Sequence, residues 1–194
     1  NIRFNRKYII LTSLWYGPTK PNMEILLKPT LSKLTELYER GIIIKTTDGS
    51  KIMKCKLLIG VFDLPARAMA TNMVQFNGYY GCLFCLDQGI HRYNRHLYLP
   101  TELHIERTMS IMQKLAQEAV TKGIVVKGVK GESVLSAYID IVVRILIDYM
   151  HCVLLGVVKQ LLEMWLDSAN HSKNYYIAPS QANAINQFLS NIKP

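Results

Sequence analysis

A chain of 194 residues that is 49% hydrophobic and 19% charged has the apolar mass for a packed domain and is too apolar to be disordered. Its formal charge of +9 is uneven, with +7 in residues 1–60, +3 in residues 61–130 and −1 in residues 131–194, which predicts a basic face able to meet a polyanion such as DNA. A membrane-spanning helix is excluded, because the longest apolar candidate, Ile139 to Val158, is interrupted by Asp140, Arg144, Asp148 and His151.

Tyr8 to Trp15 is a β-branched and aromatic run closed by Gly17-Pro18, which predicts a buried strand leaving into a turn. From Met23 to Arg40, Leu27, Leu31, Leu34, Leu37 and Tyr38 recur at helical spacing, with Gly41 as the stop and Pro29 set to shorten or kink the first turns. Ile42 to Lys45 and Ile52 to Phe62 read as the two strands of a hairpin that turns at Thr47 to Ser50. The second strand delivers Asp63 at its carboxyl end, and Leu64-Pro65-Ala66 opens a helix to about Val74. Asn77 to Gly81 turns the chain into Cys82-Leu83-Phe84-Cys85, and a polar, aromatic loop follows from Asp87 to Pro100. Helices are predicted between Glu106 and Thr121, from Asp148 to Leu166, and from Ser180, as N-cap, to Ile192, with Lys122 to Gly131 as a connector. The fold class is therefore mixed α/β, with strands and helices in the first hundred residues and helices after them.

Three features carry chemistry. Asp63, at the end of a buried strand, stands where α/β sheets place ligand-contacting groups and can hold Mg²⁺ or Mn²⁺ if a second carboxylate reaches the same ion; the competing role is to cap the helix that follows. Cys82 and Cys85 have the spacing of half a tetrahedral Zn²⁺ site, which either His91 and His96 complete locally as a knuckle or distant ligands complete. The other two cysteines, Cys55 and Cys152, lie in apolar stretches, so the four make no disulfide framework and point to a reducing compartment. Asp148 would cap the long helix and hold His151 in its first turn, where the helix dipole keeps the imidazole neutral and able to bind metal or accept a proton; a satisfied histidine beside a cap is the alternative.

Four stretches in this order resemble the central part of the CACTA (En/Spm-type) transposases, in particular an uncharacterised group found in animals. They are Leu14-Trp15-Tyr16-Gly17 with Lys20-Pro21-Asn22-Met23, then Phe62-Asp63-Leu64-Pro65-Ala66, then Gln75 to Cys85, then Asp148-Tyr149-Met150-His151 with the apolar run to Val157. The resemblance implies part of an RNase H-like core over residues 1–105 and the start of an all-helical insertion over residues 106–194. It further implies a catalytic set of two aspartates and a glutamate holding two divalent ions, with Asp63 as the second aspartate. Cys82 and Cys85 would be the cysteine half of a structural zinc site whose histidine pair lies elsewhere. The implied protein is nuclear, acts on DNA as a homo-oligomer, and cuts and joins DNA by phosphoryl transfer. With neither an initiator Met nor the remaining carboxylates, this sequence is expected to be a piece of that protein and inactive alone. A domesticated relative that keeps the fold only to bind DNA or protein is the alternative, and an unrelated small zinc protein built on Cys82, Cys85, His91 and His96 is a third.

Overall fold

A computed structural model describes residues 5, 7, 9–99 and 104–192. The chain divides into two compact units, Asn1–Leu146 and Ile147–Pro194, and is mixed α/β as expected.

In the first unit, helix α1 (Met23–Glu39) begins where the Asn22 side chain accepts the amides of Glu24 at 2.8 Å and Ile25 at 3.3 Å. It runs unshortened through Pro29, which removes only the hydrogen bond to the Ile25 carbonyl. Gly41, at φ +72°, reverses the chain, and a β-carbon there would stand 2.7 Å from the Met53 carbonyl oxygen, so only glycine fits. Strands β1 (Ile42–Thr46) and β2 (Gly49–Met53) form an antiparallel hairpin with Ile42 opposite Met53. The predicted second strand does not continue to Phe62: β1 begins at Ile42, so nothing is left to pair with Lys54 and its successors. The chain returns to extended form as β3 (Gly60–Phe62), which pairs with β6 (Ile145–Ile147), the Gly60 amide bonding the Arg144 carbonyl at 2.9 Å.

The strand expected over Tyr8 to Trp15 is not formed. Tyr8 lies outside the described residues, and Ile9 to Trp15 is irregular and largely exposed, Leu14 at 82%. No strand lies beside it among the described residues, and without a ladder partner β propensity cannot hold a strand. The segment is tied instead to α1 by Ser13, whose hydroxyl donates to the Leu26 carbonyl at 2.8 Å.

Helix α2 (Leu64–Ala70) is shorter than the predicted run to Val74, closing where the Thr71 amide and hydroxyl both bond the Arg67 carbonyl. The expected loop of residues 87–100 contains a small hairpin, β4 (Ile90–Arg92) and β5 (Arg95–Leu97). Helix α3 (Met109–Lys122), capped by Thr108 and closed by Gly123, buries Met112, Leu115, Ala116 and Ala119 along one stripe. That stripe belongs to a core with Leu31, Ala70, Met73, Leu83, Val129 and Ile145. Leu83, the residue inside the Cys-x-x-Cys turn, is 2% exposed, and its burial, worth about 1.5–3 kcal/mol, nails that turn to the core.

In the second unit, the predicted single helix from Asp148 is a π-helix (Met150–Val158) that passes into α4 (Lys159–Leu166). A short 3₁₀ turn (Ser168–Asn170) and α5 (Pro179–Ser190) follow. Ser180 is not the N-cap of α5. Pro179 occupies the first helical position, where its missing N–H costs nothing, and the Gln181 side chain accepts the Ala178 amide at 2.9 Å.

Candidate functional site

Asp63 follows β3 directly and takes an extended backbone, φ −64° and ψ 166°, that turns the chain into α2. Its Oδ1 accepts the Ala66 amide at 2.7 Å and its carbonyl accepts the Arg67 amide at 2.8 Å, so the capping role is real. Oδ2 takes no hydrogen bond among the described residues and is left for a second partner. No group of three potential metal ligands among the described residues includes Asp63, so these residues offer one ligand there rather than a closed ion site.

The Cys-x-x-Cys turn is braced from both sides. The Gly81 amide donates to the Tyr98 hydroxyl, which in turn donates to the Gly78 carbonyl. A β-carbon at Gly81 would press on the Gln75 carbonyl and stand 2.9 Å from the Tyr98 hydroxyl, which reserves the position for glycine. From the other side, the Leu86 amide bonds Ile105 and the Arg107 amide bonds Phe84. Arg107 itself is 3% exposed and forms no ion pair among the described residues. Its guanidinium is satisfied by carbonyls: Nε donates to Cys82 at 2.9 Å and Cys85 at 2.8 Å, and Nη2 to Tyr80 at 3.0 Å and Lys127 at 2.8 Å. Burial holds its pKa below the usual arginine value. Burial also pushes the Cys85 thiol up to about 12, against the Asp87 amide that bonds it.

His91 and His96 face one another in register across the β4–β5 hairpin. The His96 ring packs edge-on between Tyr79 and Tyr98, with centroids 4.9 and 5.0 Å away, and its Nε2 meets the Gln88 carbonyl at 3.1 Å. His91 is exposed. Among the described residues, the group of potential ligands gathered within 4.8 Å joins Cys85 to Asp87 and His104, and contains neither hairpin histidine. Asp87 Oδ2 and His104 Nδ1 stand 3.1 Å apart.

Asp148 accepts the amides of Met150 at 2.8 Å and His151 at 3.4 Å through Oδ1, while Oδ2 meets His151 Nδ1 at 2.7 Å. The His151 contact holds the Asp148 carboxyl below its ordinary pKa. The pair starts the π-helix, and no group of three potential ligands among the described residues contains it.

Sequence reasoning missed Arg107, His104 and Asp87. A lone arginine in a polar stretch carries no signal of burial. Asp87 could have been found, because a carboxylate two residues after a Cys-x-x-Cys is within reach of the same ion. His104 lies across the hairpin from it and only the fold brings it back.

A family model described as "Transposase family tnp2" matches residues 2–111, more than half of the chain. No curated protein and no solved structure matches it.

Proposed function

The chain belongs to the transposase family tnp2, and on that premise we propose that it is part of a CACTA-like catalytic core that cleaves DNA at element ends and joins the 3′ ends to a target. What supports this reading is Asp63, inside the matched segment, at a strand end, with one carboxylate oxygen spent on the cap and the other uncommitted. Divalent ions, Mg²⁺ or Mn²⁺, would supply activation of the attacking oxygen and stabilisation of the leaving one. In the reaction a water or 3′-hydroxyl oxygen forms a bond to phosphorus, loses its proton, and displaces a ribose oxygen in line. The part of Asp63 is to hold its free oxygen rigidly at the edge of the sheet while the cap fixes its rotamer. Of the carboxylate triad implied by the resemblance only Asp63 is assigned to these residues, so the chain by itself is inactive. In this reading residues 1–105 belong to an RNase H-like core, residues 106–194 begin an all-helical insertion, and the intact protein is a nuclear homo-oligomer. The deciding experiment is replacement of Asp63, developed in the Discussion.

Binding to DNA should not need the missing carboxylates. Lys45, Lys51, Lys54 and Lys56, on and beside the β1–β2 hairpin, are exposed and form no ion pair among the described residues. Phosphate contacts of this kind release counterions, so affinity for unrelated duplexes should fall steeply and linearly in log–log form with salt. Changing the four lysines to glutamine should reduce that slope by about one for each lysine that touches phosphate. Fluorescence anisotropy across a salt series measures it; a slope that the four substitutions leave unchanged moves the contact surface elsewhere.

A further inference from the structure

We propose that Cys82, Cys85, Asp87 and His104 form a locally complete zinc site, with two thiolates, a carboxylate oxygen and an imidazole nitrogen as its four ligands. The assignment rests on side-chain geometry and stands apart from the transposase reading. Cys85 Sγ, an Asp87 oxygen and a His104 ring nitrogen already lie within 4.8 Å of one another. Neighbouring oxygen and nitrogen ligands on a tetrahedral zinc, with bonds of roughly 2.0–2.1 Å, stand about 3.3 Å apart, and the Asp87–His104 contact is 3.1 Å. Two side chains held in mutual hydrogen-bond contact thus have the spacing of one edge of the coordination tetrahedron. Cys82 supplies the fourth corner by its place in the turn, separated from Cys85 by two residues as in the cysteine pairs that hold zinc.

The backbone around the sulfurs fits the same purpose. The Phe84 amide points at Cys82 Sγ at 3.4 Å, so an N–H dipole is already aimed at that sulfur. Charge balance also closes. Two thiolates, one carboxylate and Zn²⁺ sum to −1, and the Arg107 guanidinium, anchored on the carbonyls of both cysteines, restores neutrality in a place where an unbalanced charge is costly. Binding releases the two thiol protons, and the neutral His104 ring turns a lone pair to the ion while its proton sits on the other nitrogen. His104, with half of its side chain exposed, leaves the site an open side through which the ion enters.

Zinc content and X-ray absorption of the 194-residue chain test the assignment. After dialysis against a mild chelator, one Zn²⁺ per chain is expected, with an absorption spectrum of two sulfurs, two lighter ligands and the multiple scattering of one imidazole. His104→Gln should weaken zinc by at least ~100-fold, whereas His91→Ala with His96→Ala should leave affinity within a few-fold of the unaltered chain. The absorption spectrum needs no variant, so misfolding of His104→Gln does not remove the test. Retention of no zinc, a shell of four sulfurs shared between two chains, a shell without imidazole, or retention that depends on His91 and His96 would each overturn it. None of these readouts involves DNA cleavage, so the outcome is independent of the catalytic assignment of Asp63.

Discussion

Asp63→Asn, made in an otherwise intact enzyme of this family, is expected to reduce DNA cleavage and strand transfer by at least ~10³-fold, equivalent to about 4 kcal/mol of barrier, with almost no loss of stability. The asymmetry follows from the two oxygens. Asparagine keeps an Oδ1 that accepts the Ala66 amide, and it ranks with aspartate as a helix cap, so α2 starts as before. What it loses is the anionic second oxygen, for which an amide nitrogen is no substitute as a hard-metal ligand. Asp63→Ala should differ in kind: activity is lost as well, and the missing cap costs about 1 kcal/mol. Cleavage of an end-labelled element terminus, alongside thermal unfolding of each variant, separates the two effects. Asp63→Asn with cleavage within a few-fold of the unaltered enzyme would leave Asp63 as a cap and nothing more.

The second large effect is expected at Arg107. Replacement by methionine preserves much of the side-chain length but strands the carbonyls of Tyr80, Cys82, Cys85 and Lys127, which the guanidinium serves together. A buried acceptor left without a donor costs about 1–3 kcal/mol, and with several of these carbonyls only part-buried the loss should total about 3–5 kcal/mol. Lysine should recover little, because a point ammonium cannot reproduce a planar fork that serves four acceptors in different directions. Urea unfolding followed by tryptophan-independent far-ultraviolet dichroism is the measurement. A cost under 1 kcal/mol for Arg107→Met would mean that water replaces the guanidinium and that the turn is braced by its backbone alone.

These two residues also mark how far the sequence could be read. Asp63 was legible because its signals are local: an apolar strand before it, Leu64-Pro65 after it, and a capping oxygen whose partner is three residues away. Helices α1 and α3 were legible for the same reason, since their apolar stripes lie within the element and Gly41 and Gly123 stand just past its end. What failed depended on partners. The run from Ile9 to Trp15 has strand composition and, among the described residues, no neighbour to make it a strand, and β2 ends opposite the residue where β1 begins. The small hairpin around Tyr93-Asn94 was hidden in a polar loop, although both residues take the positive φ that a tight turn requires. The Cys-x-x-Cys was visible, but its surroundings were not: Arg107 and His104 reach it from 17 to 25 residues away. The apolar run from Met150 to Leu166 predicts one helix and carries no mark of the change from π- to α-helical winding at Lys159.

The second unit has a property that its apolar sequence conceals: none of its described residues is buried, and Leu155, Leu166 and Phe188 stay about half or more exposed. Helical hydrogen bonds there are sheltered by little beyond their own winding, and those of the π-stretch are spread over a wider ring than an α-turn. Deuterium would therefore enter residues 147–192 by brief local openings, long before it enters α3, whose amides wait on the unfolding of the core around Met112 and Leu115. The molecule keeps two clocks, a fast one in its helical end and a slow one set by the core that holds the cysteine turn.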